Sequence, residues 1–434
     1  MDRQPGFSNR AAWAAGQPIS ALMSQALAHP ELISLAAGFV DQMTLPGELV
    51  QTALERLLAS PEAARVALQY GTTPGVPGLR DLILQRLIRQ DGSSSGLESA
   101  SIDQVVVTAG SNQLIHLVLE SLLDPGDIVF CAAPTYLVFL GVVSQLGARA
   151  IGVQTDAEGM IPSALQEAFE QLERQGEQDR VKAIYLVPYA DNPSGITMPL
   201  QRSAEIMEIS RQWSSKDLPI QLIADLAYRD LRYSGDDIPS IKTLDERGDQ
   251  VILAGTFSKS FSPGIRVGWG LLPMHLVAPV CDQKGNIDFG SPNFNQYLML
   301  DVLEQGLLEP HLQEICRHYQ VKLAAMLTAS DRWFSDLEDV TWRSPSGGLY
   351  VWMEVPEQID TGPQGALFKA ASQEGVLYVA GEYCYAAEGE PSGTRPPQGP
   401  TEGGWEILLL RCPTVSSPPR CPVLPSRILV RIED

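Results

Sequence analysis

Between residues 101 and 271, short apolar runs alternate with longer amphipathic stretches, and this alternation leaves the chain few architectures. Val105-Val-Val-Thr108, Ile128-Val-Phe-Cys131 and the segments 150–153, 183–187, 220–224, 251–255 and 267–271 are short and almost uniformly apolar, as buried strands are. Helical patterns over 112–123, 136–146, 162–175 and 200–213 lie between them. Parallel neighbours need a crossover, and helical crossovers cover the faces of the sheet they connect. The predicted fold class is therefore α/β, with a mostly parallel sheet covered by helices on both faces.

The flanking regions read differently. Residues 1–30 are rich in small residues and suggest an arm with one helix over 18–27, followed by an extended segment at 33–38. Helices are expected over 46–58 and 76–89. After the strands comes a long helical stretch, 298–327, interrupted before Pro310, because an interior proline removes a backbone donor. A strand over 348–353, a helix near 365–374 and a strand over 376–379 follow. A chain of 434 residues exceeds one ordinary core. The expected division is a large domain, 46–285, and a smaller α+β domain, 286–434, against which the arm, 1–45, packs. From about residue 389 the composition turns rich in glycine and proline, and five more prolines fall between 413 and 425, so no helix is expected to close the chain.

Charge narrows the partners. Lys and Arg number 31 against 52 Asp and Glu, a formal net charge of −21, which repels nucleic acid and anionic membrane alike. No apolar run is long enough to span a bilayer and the N-terminus carries no signal pattern, so the cytoplasm is the expected location. The six cysteines are scattered without a CxxC pair, which points to neither a zinc site nor a disulfide framework. An anionic ligand would need a basic pocket working against the overall field.

One segment offers such chemistry. Thr256-Phe-Ser-Lys259-Ser-Phe-Ser-Pro-Gly-Ile-Arg266 follows an apolar strand and holds one of only seven lysines. Open α/β sheets place ligands beyond their strand ends, and a desolvated lysine there can form a Schiff base. Arg266 is placed to return to the same mouth and bind a phosphate. Three further segments end strands nearby. Ala109-Gly-Ser111-Asn112-Gln113 leads into a helix and makes an anion site, with Ser111 equally suited to cap that helix. Asp191-Asn192-Pro193-Ser-Gly195 forms a turn. Asp225-Leu-Ala-Tyr228 puts a carboxylate where burial is costly unless a cation pairs with it, and a protonated pyridine nitrogen is one such cation.

These four segments, in this order, resemble those of the fold-type-I, class I/II pyridoxal-phosphate aminotransferases, nearest the 2-aminoadipate, kynurenine and broad-specificity branch. Leu35-Ala-Ala-Gly38, Gln69-Tyr-Gly-Thr-Thr-Pro-Gly75, Ala133-Pro-Thr-Tyr136 and Gly347-Gly348 extend the likeness over roughly residues 17–385. The resemblance implies pyridoxal 5'-phosphate as cofactor, transfer of an amino group from an L-amino acid to a 2-oxo acid (2-oxoglutarate or pyruvate), and a homodimer with shared sites. It makes Lys259 the Schiff-base lysine and proton carrier, and Asp225 the partner of the ring nitrogen. Asn192 and Tyr228 would bind the ring oxygen, and Tyr136 would stack on the ring. Ser111, Asn112, Ser258 and Arg266 would hold the phosphate, joined by Tyr70 of the neighbouring subunit. Gly38 and Asn192 would meet the substrate carboxylate.

The likeness fades at both ends. Members of the family place a carboxylate-binding arginine in a C-terminal strand; the stretch here is Trp405-Glu-Ile-Leu-Leu-Leu410-Arg411, which makes Arg411 the candidate without matching neighbours. Loss of the family's closing helix suggests a frame change near codon 400. Ser20 stands where members favouring acidic donors carry an arginine, which points to a broad or apolar donor. Two alternatives stay open: another reaction on the same scaffold (a lyase, a decarboxylase or a cyclising synthase) and a cofactor-binding protein with an impaired substrate site; an effector-sensing transcription regulator is disfavoured. For the last, the segment before Gly38 is short and poor in Lys and Arg. Tyr350 and Trp352, in an apolar strand, are expected to be small-domain core.

Overall fold

The computed structural model describes residues 6–14, 18–29, 32–36, 38–92, 95–215, 219–389 and 405–410. Its largest sheet has eight strands in the spatial order Val105–Thr108, Gly268–Leu271, Val251–Thr256, Gln221–Asp225, Val181–Leu186, Ile128–Ala133, Arg149–Asp156, Gly159–Met160. The pairings from Val251–Thr256 across to Arg149–Asp156 are all parallel. Gly268–Leu271 runs antiparallel between two of its neighbours, and Gly159–Met160 closes the far edge antiparallel. Every residue of Val105–Thr108, Gln221–Asp225 and Val251–Thr256 is buried, so both faces of these strands are covered. That is why they read as unbroken apolar runs rather than alternating ones.

The connecting helices follow the sequence pattern where it is clean. Pro162–Gln175 starts on proline, whose missing N–H is no loss in a first turn, and buries Leu165, Phe169 and Leu172 on one stripe. Leu200–Trp213 likewise has the expected bounds. Four α-helices among the described residues lie where none was predicted, the short Asn9–Trp13 and Ser95–Glu98 and two longer ones. Pro61–Leu68 is capped by Ser60, whose Oγ accepts from the Ala63 N–H at 3.3 Å. Met274–Asp288 carries Pro279 in its interior and turns Leu276, Val280 and Lys284 inward at four-residue spacing. An interior proline, and a buried lysine on the apolar stripe, hide that helix from sequence reading. Lys284 is tolerated there because its Nζ donates to Asp288 at 2.7 Å.

The long C-terminal helical stretch is two helices, Asn293–Glu304 and Leu308–Phe334, parted at Gly306 (φ +64°), with Pro310 in the first turn of the second. The expected break before Pro310 is found. A second, antiparallel sheet follows in the order Thr341–Trp342, Tyr350–Val355, Trp405–Leu410, Val379–Ala380. The single strand expected over 376–379 is divided at Tyr378, because its halves pair with different partners: Val376–Leu377 lies parallel to Ile33–Ser34, and Val379–Ala380 joins the second sheet. Backbone bonds from Ile33 N–H to Gly375 O (2.8 Å) and Leu35 N–H to Leu377 O (2.7 Å) tie the N-terminal segment to this region. The proline-rich tail beyond residue 410 and Arg411 lie outside the described residues. Among the described residues no helix is long and apolar enough to cross a membrane.

One buried ion pair fixes the loop that leaves Gln221–Asp225. Arg229 Nη2 donates to Asp91 Oδ1 at 2.5 Å, the Ser240 N–H and hydroxyl also donate to Asp91, and the guanidinium covers the Tyr189 ring at 5.1 Å. Charges this deep persist only when paired and hydrogen-bonded. The pair holds Tyr228, its chain neighbour, in place.

Candidate active site

Parallel strands all end on the same side of their sheet, so whatever follows them converges there. Thr108, Ala133, Leu186, Asp225 and Thr256 close five such strands. Beyond them opens a cavity of about 500 Å³, in the range of small-molecule sites. Ser111, Asn112, Tyr136, Asn192, Asp225, Tyr228, Ser258, Lys259 and Arg266 all line it, and so does Gly38, brought in from the N-terminal segment. The Lys259 Nζ donates to the Gly38 carbonyl at 2.7 Å. Burial, reinforced by the positive charge of Arg266 and opposed by Asp225, brings the Lys259 amine down to about 8. A lysine so poised yields its neutral, nucleophilic form near neutral pH.

Asp225 lies 4% exposed at the end of its strand. Burial pushes its carboxyl up to about 6, against donors that favour the charged form: the Ala227 N–H on Oδ1 and the Tyr185 hydroxyl on Oδ2, each at 3.0 Å, with Lys259 adding a positive charge. Asp225 makes no ion pair among the described residues. Tyr185 was not singled out from the sequence. It stacks on Phe139 with ring centroids 3.8 Å apart and spends its hydroxyl on Asp225. A lone phenol in an almost wholly buried strand needs a partner for its O–H, and that was the available signal.

Asn192, Tyr228 and Tyr350 form one cluster. Asn192 Nδ2 donates to the Tyr350 hydroxyl at 3.1 Å and, more weakly, to Tyr228 at 3.4 Å; the two hydroxyls are 3.0 Å apart. Tyr350 is buried with the core as expected, and its hydroxyl also joins this cluster. Trp352, on the same strand, is buried in the core, while the Tyr350 hydroxyl lines the cavity. Asn192 Oδ1 is buried without a partner among the described residues.

The opposite end is built for an anion. Gly110, not Ser111, occupies the N-cap of the helix Ser111–Leu122, at φ +87°, and makes no side-chain cap. The first backbone N–H groups of that helix are left for a ligand. Arg266 Nη2 donates to Ala109 O at 2.8 Å, and Nη1 approaches Ser258 Oγ at 3.5 Å; Arg266 has no carboxylate partner among the described residues. This is the local positive site that a chain of net charge −21 requires. Gln113 buttresses the turn from behind, accepting from Ala109 N–H at 2.7 Å and donating to Asp288 at 2.8 Å. The turn also needs Gly268, where a Cβ would lie 2.4 Å from the Gly110 carbonyl carbon and 2.6 Å from Ser111 N. Gly268→Ala is expected to lower stability by about 1–3 kcal/mol, as overpacking does, and to weaken phosphate-ligand binding. Thermal unfolding and a cofactor titration check both effects.

One described candidate residue is not in the cavity, and another candidate is not described. Tyr70 is 86% exposed, beside Phe289, outside the cavity of its own chain. Arg411 lies outside the described residues; Leu410, just before it, pairs opposite Tyr350.

The sequence model of the aminotransferase class I and II family matches residues 30–395. This chain belongs to the class I and II aminotransferases. The aminotransferase is 33% identical to aromatic-amino-acid aminotransferase 1 of Thermococcus litoralis over 386 residues, 89% of this chain and 88% of that one. Its fold superposes on Pyrococcus horikoshii kynurenine aminotransferase, solved with PMP, with a TM-score of 0.81 at 31% identity over 95% of this chain and 93% of that one. LysN, the α-aminoadipate aminotransferase of Thermus thermophilus, complexed with N-(5'-phosphopyridoxyl)-L-leucine, gives 0.77 at 26% identity over 98% and 94%. The aminotransferase is a fold-type-I, pyridoxal-phosphate-dependent enzyme that moves an amino group between an amino acid and a 2-oxo acid. Its cavity fits that cofactor: an amine with a lowered pKa, a buried carboxylate without an ion pair, an unpartnered amide oxygen, and an unneutralised arginine beside a helix N-terminus.

Proposed function

We propose that the aminotransferase takes an L-amino acid with an apolar or aromatic side chain as donor and 2-oxoglutarate or pyruvate as acceptor. The observation that carries this reading is the cavity wall. Among the described residues its lining beyond Asp225, Lys259 and Arg266 is uncharged, and Met23, Phe39, Leu137, Val138 and Val379 supply apolar surface. Ser20 offers no cation where acidic donors would need one.

Pyridoxal phosphate, when bound, supplies an electron sink for the α-proton's departure. Lys259 links it and carries the proton, Asp225 keeps its ring nitrogen protonated, and Asn192 and Tyr228 hold its ring oxygen. Tyr136 covers one ring face. Ser111, Asn112, Ser258 and Arg266 bind its phosphate. Gly38, Asn192 and Arg411 receive the substrate carboxylate. The exposure of Tyr70 supports the reading that it serves a second copy's phosphate, in a homodimer working in the cytoplasm. The tie between residues 33–35 and 375–377 supports the arm, 1–45, packing with the small domain, 286–434, apart from the large domain, 46–285.

The test is a stopped-flow panel of amino acids against the holoenzyme, followed at the cofactor's absorbance. Leucine and phenylalanine should react at least about 10-fold faster than aspartate or 2-aminoadipate, the size of discrimination an apolar pocket provides. Preference for the acidic donors would defeat the donor assignment. A lysine-dependent absorbance that no amino acid alters would instead mean a cofactor-binding protein with a disabled substrate site.

A further inference from the structure

The Tyr350 hydroxyl comes from a different sheet than the other polar groups of the cavity. Two glycines bring it there. A Cβ on Gly347 would lie 2.3 Å from Leu231 O, and Gly348 sits at φ +70° with its N–H on Leu231 O at 2.8 Å. The second sheet can therefore rest directly on the segment after Tyr228. The Tyr350 ring then meets the Tyr228 ring edge-on, with centroids 5.5 Å apart at 82°. The hydroxyl itself is buried between Tyr228 and Asn192, and a Cβ on Gly38 would come within 3.1 Å of it.

Proton counting gives this cluster a direction. Each phenol has one proton, and the Asn192 amide nitrogen has two. Asn192 donates to Tyr350. If the Tyr228 proton is to reach a ligand oxygen, Tyr350 must be the donor in the contact between the two hydroxyls. The chain then runs from Asn192 to Tyr350 to Tyr228 and ends on an O–H aimed at the ligand. Each link polarises the next, so the terminal donor is stronger than an isolated phenol. Burial, the neighbouring Tyr350, Tyr136 and Asp225 all keep Tyr228 in its protonated, donating form. Lys259, Tyr185 and Arg266 also line the cavity around the cluster, and the buried Asp191 and Arg229 adjoin Asn192 and Tyr228 in the chain.

We infer that Tyr350 is a positioning residue of the transamination site: its hydroxyl, supplied by Asn192, donates to Tyr228 and directs the Tyr228 proton onto the cofactor's ring oxygen. The inference rests on the proposed assignment of Asn192 and Tyr228 to that oxygen. A donor to an ionisable oxygen favours its deprotonated form, so weakening Tyr228 raises the pH at which the bound cofactor changes its absorbance.

The experiment is a pH titration of that absorbance in holoenzyme carrying Tyr350→Phe, Tyr228→Phe, or both. Phenylalanine keeps the ring and its edge contact, so only the hydroxyl is removed. Tyr350→Phe should raise the midpoint by about 0.5 to 1 pH unit, the worth of one hydrogen bond. Tyr228→Phe should raise it further, and the double variant should match Tyr228→Phe alone, because Tyr350 acts through Tyr228. In the half-reaction, kcat should fall several-fold with KM nearly unchanged. An unmoved midpoint in Tyr350→Phe, or additive shifts in the double variant, would overturn the inference while leaving the Tyr228 assignment intact. If Tyr228→Phe also fails to move the midpoint, the ring-oxygen assignment itself is wrong and the inference falls with it.

Discussion

Replacing Lys259 with alanine is expected to remove the absorbance band of the lysine-bound cofactor and to slow transamination by about 10⁴-fold or more, since a covalent anchor and a proton carrier are lost together. No other described lysine can substitute. Lys242, Lys284 and Lys322 are buried in ion pairs with Asp245, Asp288 and Asp41. Lys182 and Lys369 donate to the Asp179 and Gln364 carbonyls at exposed positions away from the cavity. The check is the spectrum and turnover of the Lys259→Ala variant after incubation with pyridoxal phosphate. A retained band with retained turnover would place the chemistry on another amine.

Asp225→Asn should trade activity for stability. In the cofactor-free protein the Asp225 carboxyl is raised from the usual carboxylate range to about 6 by burial. A folded-state pKa above the unfolded value means that the folded chain binds the extra proton between about pH 4 and pH 6. The contribution of Asp225 to stability therefore falls as pH rises through that window and stays low above it. Removing the charge should make the cofactor-free variant more stable than the native chain above pH 6, by about 3 kcal/mol at most, with the advantage gone near pH 4. The loaded variant should lose about 10³-fold in kcat, as when a preorganised electrostatic partner is deleted. Urea unfolding at pH 4 and pH 8, with single-turnover kinetics, measures both effects. A variant that is equally active would remove Asp225 from the mechanism.

The helices and strands were legible wherever the burial pattern was simple. Strands such as Val251–Thr256 are buried on both faces and announce themselves as apolar runs, and helices such as Pro162–Gln175 bury one clean stripe. Met274–Asp288 was not legible, because Pro279 reads as a helix breaker and the buried Lys284 interrupts the apolar stripe. What rescues Lys284 is Asp288 one turn later, on a carboxylate that Gln113 also binds from another helix. The division at Tyr378 was hidden for a related reason: local pattern shows that a segment is extended, not which neighbours it pairs with.

The site divides in the same way. The sequence by itself determined that Lys259, Asp225, Asn192, Ser111 and Arg266 stand at or near strand ends, because strand-then-turn is a local pattern and parallel strands share one end. It also made them candidates for chemistry, since a lysine among hydroxyls and a carboxylate at the end of a buried strand are costly without a ligand. Only the tertiary structure decided the contacts between distant segments: Gly38 reaching Lys259 across 221 positions, Tyr185 holding Asp225, and Tyr350 crossing from the second sheet to Tyr228. Tyr350 and Trp352 occupy equivalent places in one alternating strand, and nothing local separates them. Both are buried in the core, but Tyr350 also meets a cavity, because packing between sheets is set by the surfaces that oppose them, and residue periodicity records which face is buried but not what it is buried against.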